Sequence, residues 1–253
     1  MNSPVALITG AASGIGQALA VSYARHGVRV VGGYFAGDPH DPEETCRQVA
    51  QAGGQCLMRA ADVTDSASLD ELAAAAVERF GRLDYAVANA GLLRRAALLE
   101  MTDANWNAML DVDLSGVMRT FRSAAAYIGE GGALVAISSI AGGVYGWQEH
   151  AHYAAAKAGV PGLCRSLAVE LATRGIRCNA VIPGLIETPQ SLDEQHSLGR
   201  HGLARAAQTI PLGRVGRASE VAELVRYLTS TQSSYITGQS IIIDGGLSVR
   251  WPD

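Results

Sequence analysis

The alternation of short apolar runs with longer segments of helical periodicity constrains this chain most. Residues 5–10 (VALITG) form a strand-length apolar run that ends in glycine, and a helix-period segment through Leu19 and Tyr23 follows, ending at Gly27. An apolar run of this length is typical of a parallel strand buried on both faces. Strands that alternate with helices favour a parallel sheet covered on both sides. We therefore expect an α/β protein.

Six later segments repeat the strand pattern: residues 28–34, 56–60, 83–91, 131–139, 176–184 and 240–246. Capping residues predict helix starts at Asp41, at Asp65 or Ser66, at Thr102 and at Ser219. Together these segments predict a Rossmann-like doubly wound parallel β-sheet of about seven strands with helices on both faces. Without linkers or repeats, residues 1–253 are expected to form a single domain.

The composition narrows the class of protein. The net charge is −4 and no basic cluster occurs, which argues against a nucleic-acid or membrane-surface partner. The N-terminal region resembles neither a signal peptide nor a membrane span. The four cysteines show no C-x-x-C spacing, and the six histidines show no ligand spacing, so we expect reduced thiols and no metal. A cytoplasmic enzyme or binding protein is the expectation.

The glycines of the first turn suggest a phosphate site. Gly10, Gly14 and Gly16 stand between the first strand and the first helix, where backbone approaches a ligand closely and the helix N-terminus attracts an anion. A dinucleotide diphosphate fits there, although the same glycines could merely form a tight turn.

The end of the second strand bears on the choice of nucleotide. An acid there selects a free ribose 2′-hydroxyl, whereas an arginine accommodates a 2′-phosphate. This chain has neither, since Tyr34 ends the strand and Ser13 occupies the glycine loop. No Lys or Arg lies between positions 30 and 46, so we expect NAD rather than NADP. Asp41 is interpreted as a helix cap.

Tyr153 and Lys157 are four residues apart with three alanines between them, so a helix places both on one face. An ammonium ~4 Å from the phenol, at an effective dielectric of ~20, is worth about 4 kcal/mol, or about 3 units of pKa. We therefore expect a Tyr153 pKa near neutrality and an acid–base role. A chance pairing at helical spacing is the alternative.

Two further residues are candidates for the same site. Ser139 ends the fifth strand, where side chains face the ligand crevice. Asp113 falls on the apolar stripe of the helix that begins at Thr102, seven residues after Trp106. A carboxylate that faces a core needs a partner, which could be a substrate-site group or only backbone donors.

The order of TGAASGIG, ANAG, a strand-end serine and Tyr-x-x-x-Lys resembles the short-chain dehydrogenase/reductase family over essentially the whole chain. The resemblance implies that Tyr153 is the general acid–base, that Lys157 holds the nicotinamide ribose, and that Ser139 binds the substrate oxygen. One extra residue between Ser139 and Tyr153 suggests a bulged loop. The expected cofactor-binding residues are Gly10, Ser13, Gly14, Ile15, Gly16, Tyr34, Asp62, Val63, Asn89, Ala90, Gly91, Tyr153, Lys157, Pro183, Gly184, Ile186 and Thr188.

Asp113 departs from that family, which usually has asparagine there to hold a water that joins the lysine to a proton relay. An ionised aspartate accepts hydrogen bonds but does not donate them, and its charge opposes ionisation of Tyr153. We hypothesise that Asp113 replaces the asparagine in the relay and raises the catalytic pH optimum.

The substrate is expected to be polar and possibly anionic, such as a sugar or sugar acid. Residues 189–208, rich in His and Arg, are interpreted as a lid. The candidate contacts are Arg94, Arg95, Gln148, His150, His196, Arg200 and His201, although loop side chains of this kind are often solvated surface. The alternatives are an NADPH-linked 3-oxoacyl thioester reductase and a non-catalytic nucleotide-sensing protein. By the resemblance, a homotetramer or homodimer is expected.

Overall fold

Seven parallel strands build the central sheet of the computed structural model, which describes residues 3–250. The strands of this sheet are β1 (Val5–Thr9), β2 (Arg29–Tyr34), β3 (Cys56–Ala60), β4 (Leu83–Ala88), β5 (Ile128–Ile137), β6 (Arg177–Pro183) and β9 (Ser240–Ile243). Two further short strands, β7 (Ile186–Glu187) and β8 (Gly216–Arg217), lie outside it. The order of the strands across the main sheet is β3-β2-β1-β4-β5-β6-β9, with β7 and β8 paired separately. The doubly wound fold expected from the sequence is confirmed.

Helices cover both faces of this sheet. They are α1 (Gly14–Arg25), α2 (Pro42–Gln51), α3 (Ser66–Phe80), α4 (Asp103–Leu110), α5 (Gly116–Ala125), α6 (Ile140–Gly143), α7 (Ala151–Leu171), α8 (Pro189–Leu192), α9 (Gly199–Ala207) and α10 (Ala218–Thr229). The apolar faces of α3, α5 and α7 pack on one side, and those of α1, α2 and α10 on the other. Burial of β1 over all five residues explains why its sequence is continuously apolar.

Most of the predicted helix starts are confirmed. The side chains of Asp41, Asp65 and Thr102 accept hydrogen bonds from the first turns of α2, α3 and α4. The predicted cap at Ser219 is wrong. Arg217 occupies the capping position of α10, and its backbone N–H donates to Glu220.

The helix predicted to run on from Thr102 is interrupted. A π-helical turn, Asp111–Ser115, separates α4 from α5. Because a π turn contains more residues than an α turn, the side chains after it are rotated around the helix axis relative to those before it. Trp106 is consequently 37% exposed, although the sequence placed it on the same buried stripe as Phe121. Such turns are frequent at functional sites, and this one contains Asp113.

The order of the strands locates a crevice. β1 lies between β2 and β4, so the connections diverge at this point and leave a gap beyond the carboxyl ends of the strands. Within residues 3–250, no helix is both long enough and apolar enough to cross a bilayer.

Candidate active site

A crevice of about 1120 Å³ opens at the carboxyl ends of β1, β4, β5 and β6. The segments after β2 and β3 line one end of it, and the start of α7 with residues 183–203 lines the other. Side chains and backbone from elements far apart in the sequence therefore share one cavity.

The turn from β1 to α1 forms the floor of the crevice. Gly10, Ser13, Gly14 and Ile15 line it, and Gly10 adopts a φ of +67° that favours glycine. Ser13 makes no side-chain cap, and the first turn of α1 carries no acid, so its N-terminal N–H groups are left for an anion. These features fit the diphosphate of a dinucleotide.

Gly16 has a different role from the one expected. It does not line the crevice, because it lies against the preceding turn. A Cβ on Gly16 would lie 2.1 Å from the carbonyl oxygen of Gly10 and 2.7 Å from Nδ2 of Asn89. The glycine is therefore required for close packing of α1 on the turn.

Asn89 ties the first turn to the fourth strand. Its Nδ2 donates to the carbonyl oxygens of Thr9 and Gly10, both at 3.0 Å. Its backbone N–H donates to the Thr9 hydroxyl at 3.1 Å. Asn89, Ala90 and Gly91 also line the crevice, as predicted.

The far end of the crevice fits a nucleoside. Asp62 and Val63 line it as expected, and the Asp62 carboxylate is held by the backbone and hydroxyl of Thr64. Tyr34, which was predicted as a cofactor contact, is still paired in β2, and the following residue, Phe35, lines the crevice instead.

The sequence missed Asp38 and His40 as crevice residues. Both line this end, and the His40 ring nitrogen lies 2.5 Å from the Asp38 carboxylate. The only signal in the sequence was that Asp38 is the first acid after β2. The pair places a carboxylate where the end of β2 offers none.

Tyr153 and Lys157 share one face of α7, as their spacing predicts. Tyr153 is 8% exposed, and the Lys157 ammonium lies 5.7 Å from the centre of its ring. Lys157 also donates to the carbonyl oxygen of Ile137 at 3.2 Å. The Ser138 hydroxyl donates to the carbonyl of Lys157, which fixes this turn of α7 against the end of β5.

The expectation of a near-neutral Tyr153 is wrong for the chain by itself. Burial raises the pKa of Tyr153 above its ordinary value of 10.0, and the charge of Asp113 adds to the rise. Lys157 and the Ser139 hydroxyl lower the pKa, but they do not outweigh burial. The sequence estimate assumed an ammonium close to the phenol and could not include desolvation.

Ser139 stands at the entrance to the loop that leads to α7. Its hydroxyl accepts from the N–H of Ala141 at 3.1 Å and contacts the Tyr153 phenol. The loop is irregular at its start, because Ala141 and Gly142 leave the helical conformation within α6. A Cβ on Gly142 would lie 2.2 Å from the carbonyl oxygen of Ala154, so the loop packs tightly on α7.

Asp113 lies behind Lys157 and does not line the crevice. It is fully buried, its Oδ1 accepts from the N–H of Leu92 at 2.7 Å, and its Oδ2 lies 4.0 Å from the Lys157 ammonium. Oδ2 has no hydrogen-bond partner. Burial raises the pKa of Asp113 to about 6, against the opposing effects of Lys157 and Leu92. Asp113 is therefore a titrating neighbour of the lysine.

The four residues predicted to contact the nicotinamide lie together. Pro183, Gly184, Ile186 and Thr188 all line the crevice between β6 and α8. The Thr188 hydroxyl accepts from the N–H of Ser191 and caps α8. A Cβ on Gly184 would lie 2.6 Å from Asp244, so this segment approaches the C-terminal region closely.

Of the predicted substrate contacts, only Arg94 lies on the crevice wall. The other six predicted contacts do not line the crevice in this structure and stay predictions: Arg95, Gln148, His150, His196, Arg200 and His201. Arg200 and His201 point outward from α9, and His150 is fully buried beside α7. Arg95 donates instead to the carbonyl of Ser197.

The wall that the sequence missed is largely apolar. Its side chains come from the loops after β4 and β5, from residues 198–203 and from the C-terminal region: Leu93, Tyr145, Trp147, Leu198, Leu203 and Leu247. The polar composition of residues 189–208 concealed the two leucines, which lie five positions apart and were not part of a recognisable stripe.

The described part of the chain contains neither a candidate metal site nor a disulfide. Across residues 3–250, no three His, Cys, Asp or Glu side chains lie together in a way that could hold a metal ion. Cys46, Cys56, Cys164 and Cys178 are free thiols.

Comparison with known proteins places this geometry in a family. A family model described as "Enoyl-(Acyl carrier protein) reductase" matches residues 10–248. A solved structure of a short-chain dehydrogenase/reductase from Serratia marcescens superposes with a TM-score of 0.89 at 33% identity, and the match covers 98% of each chain.

Curated relatives differ in their substrates. A 3-oxoacyl-[acyl-carrier-protein] reductase of Thermotoga maritima is 39% identical over 98% of this chain and 99% of its own length. An L-rhamnose 1-dehydrogenase (NAD(P)(+)) of Azotobacter vinelandii is 37% identical over 96% of both chains. A cis-4-hydroxycyclohexanecarboxylate dehydrogenase of Sinomonas cyclohexanicum is 40% identical over 96% of this chain and 95% of its own length.

Proposed function

Since the chain belongs to the short-chain dehydrogenase/reductase family, we propose that it is an NAD-linked oxidoreductase for a secondary alcohol or ketone that carries an anionic group. Membership establishes an NAD(P)-dependent enzyme that acts on CH–OH and keto groups. The nucleotide and the substrate are the proposal. It is carried by the convergence of Ser139, Tyr153 and Lys157 at one end of a crevice that fits a dinucleotide.

Each residue of the site has a separate role in the proposed reaction. The nicotinamide supplies hydride transfer when it is bound. The Tyr153 hydroxyl exchanges a proton with the substrate oxygen, while Ser139 donates a hydrogen bond that orients this oxygen. Lys157 favours the phenolate through its charge, and the contact with Ile137 holds the ammonium in place. Burial of Tyr153 keeps water away from the proton transfer.

Asp38 supports NAD over NADP. Its carboxylate lies at the nucleoside end of the crevice, where a 2′-phosphate would meet a like charge. The ring of His40, the nearest basic side chain, already contacts the Asp38 carboxylate. Ser13 adds no positive charge at the glycine turn.

Arg94 and the apolar wall together support the substrate class. The reacting carbon would lie near Tyr153, an apolar body would contact Leu93 and Leu198, and an anionic group would reach Arg94 at the rim. A sugar acid remains within this class because its anionic group meets the same arginine. An alicyclic carboxylate fits the wall better, because its ring buries more apolar surface.

A 3-oxoacyl thioester reductase is the second candidate. The apolar wall suits an acyl chain, and a relative with that activity is 39% identical. This candidate would use NADPH, which Asp38 opposes. A non-catalytic nucleotide-sensing protein is the third possibility, and the intact Ser139, Tyr153 and Lys157 argue against it.

A substrate screen tests the proposal. Purified protein is assayed with NAD or NADP and sugars, sugar acids, cyclohexanols and hydroxycyclohexanecarboxylates, and with NADPH and a 3-oxoacyl thioester. We expect turnover with NAD and a hydroxycarboxylate. Faster turnover of the thioester with NADPH would support the second candidate. Binding of NAD without turnover of any alcohol would support the third.

We also propose that the protein is a homotetramer, or failing that a homodimer, in the cytoplasm. Trp106 on α4 and Val169 on α7 are exposed apolar side chains that another subunit would cover. Light scattering of the eluted protein gives the mass, and a monomer at micromolar concentration would contradict the proposal.

A further inference from the structure

His150 occupies a buried position between the catalytic helix and the wall of the crevice. It is 0% exposed and immediately precedes α7. Its ring stacks on Trp147 with 4.0 Å between centroids, and it lies edge-on to Tyr153 at 6.5 Å. The ring therefore contacts both the loop that follows β5 and the catalytic helix.

Both ring nitrogens of His150 face carbonyl oxygens. Nδ1 lies 2.7 Å from the carbonyl oxygen of Gln148, and Nε2 lies 3.1 Å from that of His196. A carbonyl oxygen only accepts, and a neutral imidazole has a single N–H to donate. Both contacts are hydrogen bonds only when the ring is an imidazolium.

The contact with His196 reaches the crevice wall. Residues 193–198 form a tight turn in which the Asp193 carboxylate accepts from the N–H groups of Gln195 and His196. Asp193, Ser197 and Leu198 line the crevice. The donation from Arg95 to the carbonyl of Ser197 is a second tie to the same turn.

The backbone before His150 is strained. Glu149 has a φ of +64° and is the one non-glycine residue with positive φ among residues 3–250. Such a conformation persists only where the surrounding structure holds it. Here the carbonyl of Glu149 accepts from the N–H of Ala96, and the turn directs the next side chain inward.

We propose that His150 is a positioning residue whose imidazolium fastens residues 193–198 to the start of α7. Protonation completes both bonds. A neutral ring keeps one hydrogen, and because the contact of Nδ1 with Gln148 is the shorter at 2.7 Å, that hydrogen stays on Nδ1 and a lone pair of Nε2 faces the carbonyl of His196. The substrate wall is then firm while the ring is an imidazolium and looser when the ring is neutral. Histidine is the side chain whose charge most readily changes within the physiological range, so a change of pH is the means of testing this dependence.

Some groups around His150 favour a positive charge on its ring, and others oppose it. The face of Trp147 favours the cation. His152 on α7 and Arg95, beside the neighbouring carbonyl, oppose it when charged. The Tyr153 phenol is the other titratable group whose ring faces His150, whereas His196 approaches the ring through its backbone carbonyl.

Two substitutions distinguish the roles of the two ring nitrogens of His150. In His150→Gln the amide nitrogen takes the position of Nε2 and donates to the carbonyl of His196 at every pH. In His150→Asn the amide nitrogen takes the position of Nδ1 and keeps only the local bond to Gln148. Arg95→Gln is the matched control, because it removes the other tie and leaves His150 intact.

Hydrogen exchange of the apo protein tests the proposal without any substrate. After correction for intrinsic rates, the parent is expected to protect the amides of residues 193–198 about tenfold more at pH 6 than at pH 8. His150→Gln should protect them strongly at both pH values, and His150→Asn weakly at both. Arg95→Gln should lower the protection and keep its pH dependence. Exchange of α7 amides shows whether each variant is folded.

Two outcomes would overturn the proposal. One is equal protection of this turn in the parent at both pH values; the other is a pH dependence that survives in His150→Gln, which would assign it to another group. A kinetic arm rests on the proposed function: KM should rise between pH 6 and 8 in the parent and stay constant in His150→Gln. Failure to find a substrate would affect that arm alone.

Discussion

The two ends of the crevice are built by different means. At the cofactor end the contacts come from backbone and from short side chains at strand ends, such as Gly10, Asn89 and Thr188. At the substrate end they come from long side chains carried by the loop after β5 and by residues 189–203. The sheet therefore fixes the first end, whereas loop packing determines the second.

This difference has a consequence for tolerance to substitution. The turn beneath the cofactor end leaves no space for an added atom at Gly16. The wall residues Leu198 and Leu203 lie on separate short elements that connect through surface loops, where exchange of side chains is better tolerated. We therefore expect substitutions to affect stability more at the cofactor end and selectivity more at the substrate end.

Tyr153→Phe is expected to have the largest effect, because this residue joins the two ends. Removal of the proton-exchanging hydroxyl should lower kcat by roughly 10³-fold and leave the Kd of NAD nearly unchanged. Steady-state kinetics and NAD titration measure the two quantities. Tyr235→Phe is the matched control on a fully exposed tyrosine. A variant that keeps more than a tenth of the parent kcat would remove Tyr153 from the acid–base role.

Gly16→Ala tests the rigidity of the cofactor end. The new methyl group would lie 2.1 Å from the carbonyl oxygen of Gly10, so the turn must shift. We expect a loss of about 3 kcal/mol in the free energy of unfolding, together with weaker NAD binding. Gly129→Ala is the control, since no atom lies within 4 Å of its added Cβ. Urea unfolding that is equal for both variants would contradict a rigid turn.

The sequence predicted the cofactor end of the crevice better than the substrate end. Gly10 and the Tyr153–Lys157 pair were predicted because a strand–helix turn and helical spacing constrain them locally, and Asn89 was predicted through the family resemblance of its ANAG segment. The wall leucines were missed because their approach depends on how α9 packs, and a polar segment gave no periodicity to indicate it. The pKa of Tyr153 was misjudged because spacing gives a charge partner but not the extent of burial.

Asp113→Asn tests the buried charge behind Lys157 through stability. The folded pKa of about 6 lies above the ordinary 3.8, so the folded state favours the protonated acid. Ionisation therefore lowers the free energy of unfolding of the parent as the pH rises through 4–6. Asparagine keeps an acceptor for Leu92 and has no charge to ionise. We expect the variant's advantage to widen by about 1–1.5 kcal/mol between pH 5 and 8 in urea unfolding, measured at one protein concentration.

The same variant is expected to change the pH dependence of catalysis. Asp113 raises the pKa of Tyr153, so removal of its charge should move the alkaline rise of the oxidation rate to lower pH. A pH–rate profile that overlays the parent would exclude Asp113 from the relay. A stability advantage that does not vary with pH would show that the carboxyl is not the titrating group.

Arg94→Ala is expected to have the smallest effect, because the guanidinium lies at an exposed rim where water screens its charge. KM for a hydroxycarboxylate should rise about tenfold, while KM for the neutral alcohol of the same shape should change little. Arg200→Ala provides the control, since Arg200 is exposed on α9 and lies off the crevice wall. Equal effects of Arg94→Ala on both analogues would reject the anion contact, and selectivity at this end would then rest on the fit of the apolar wall alone.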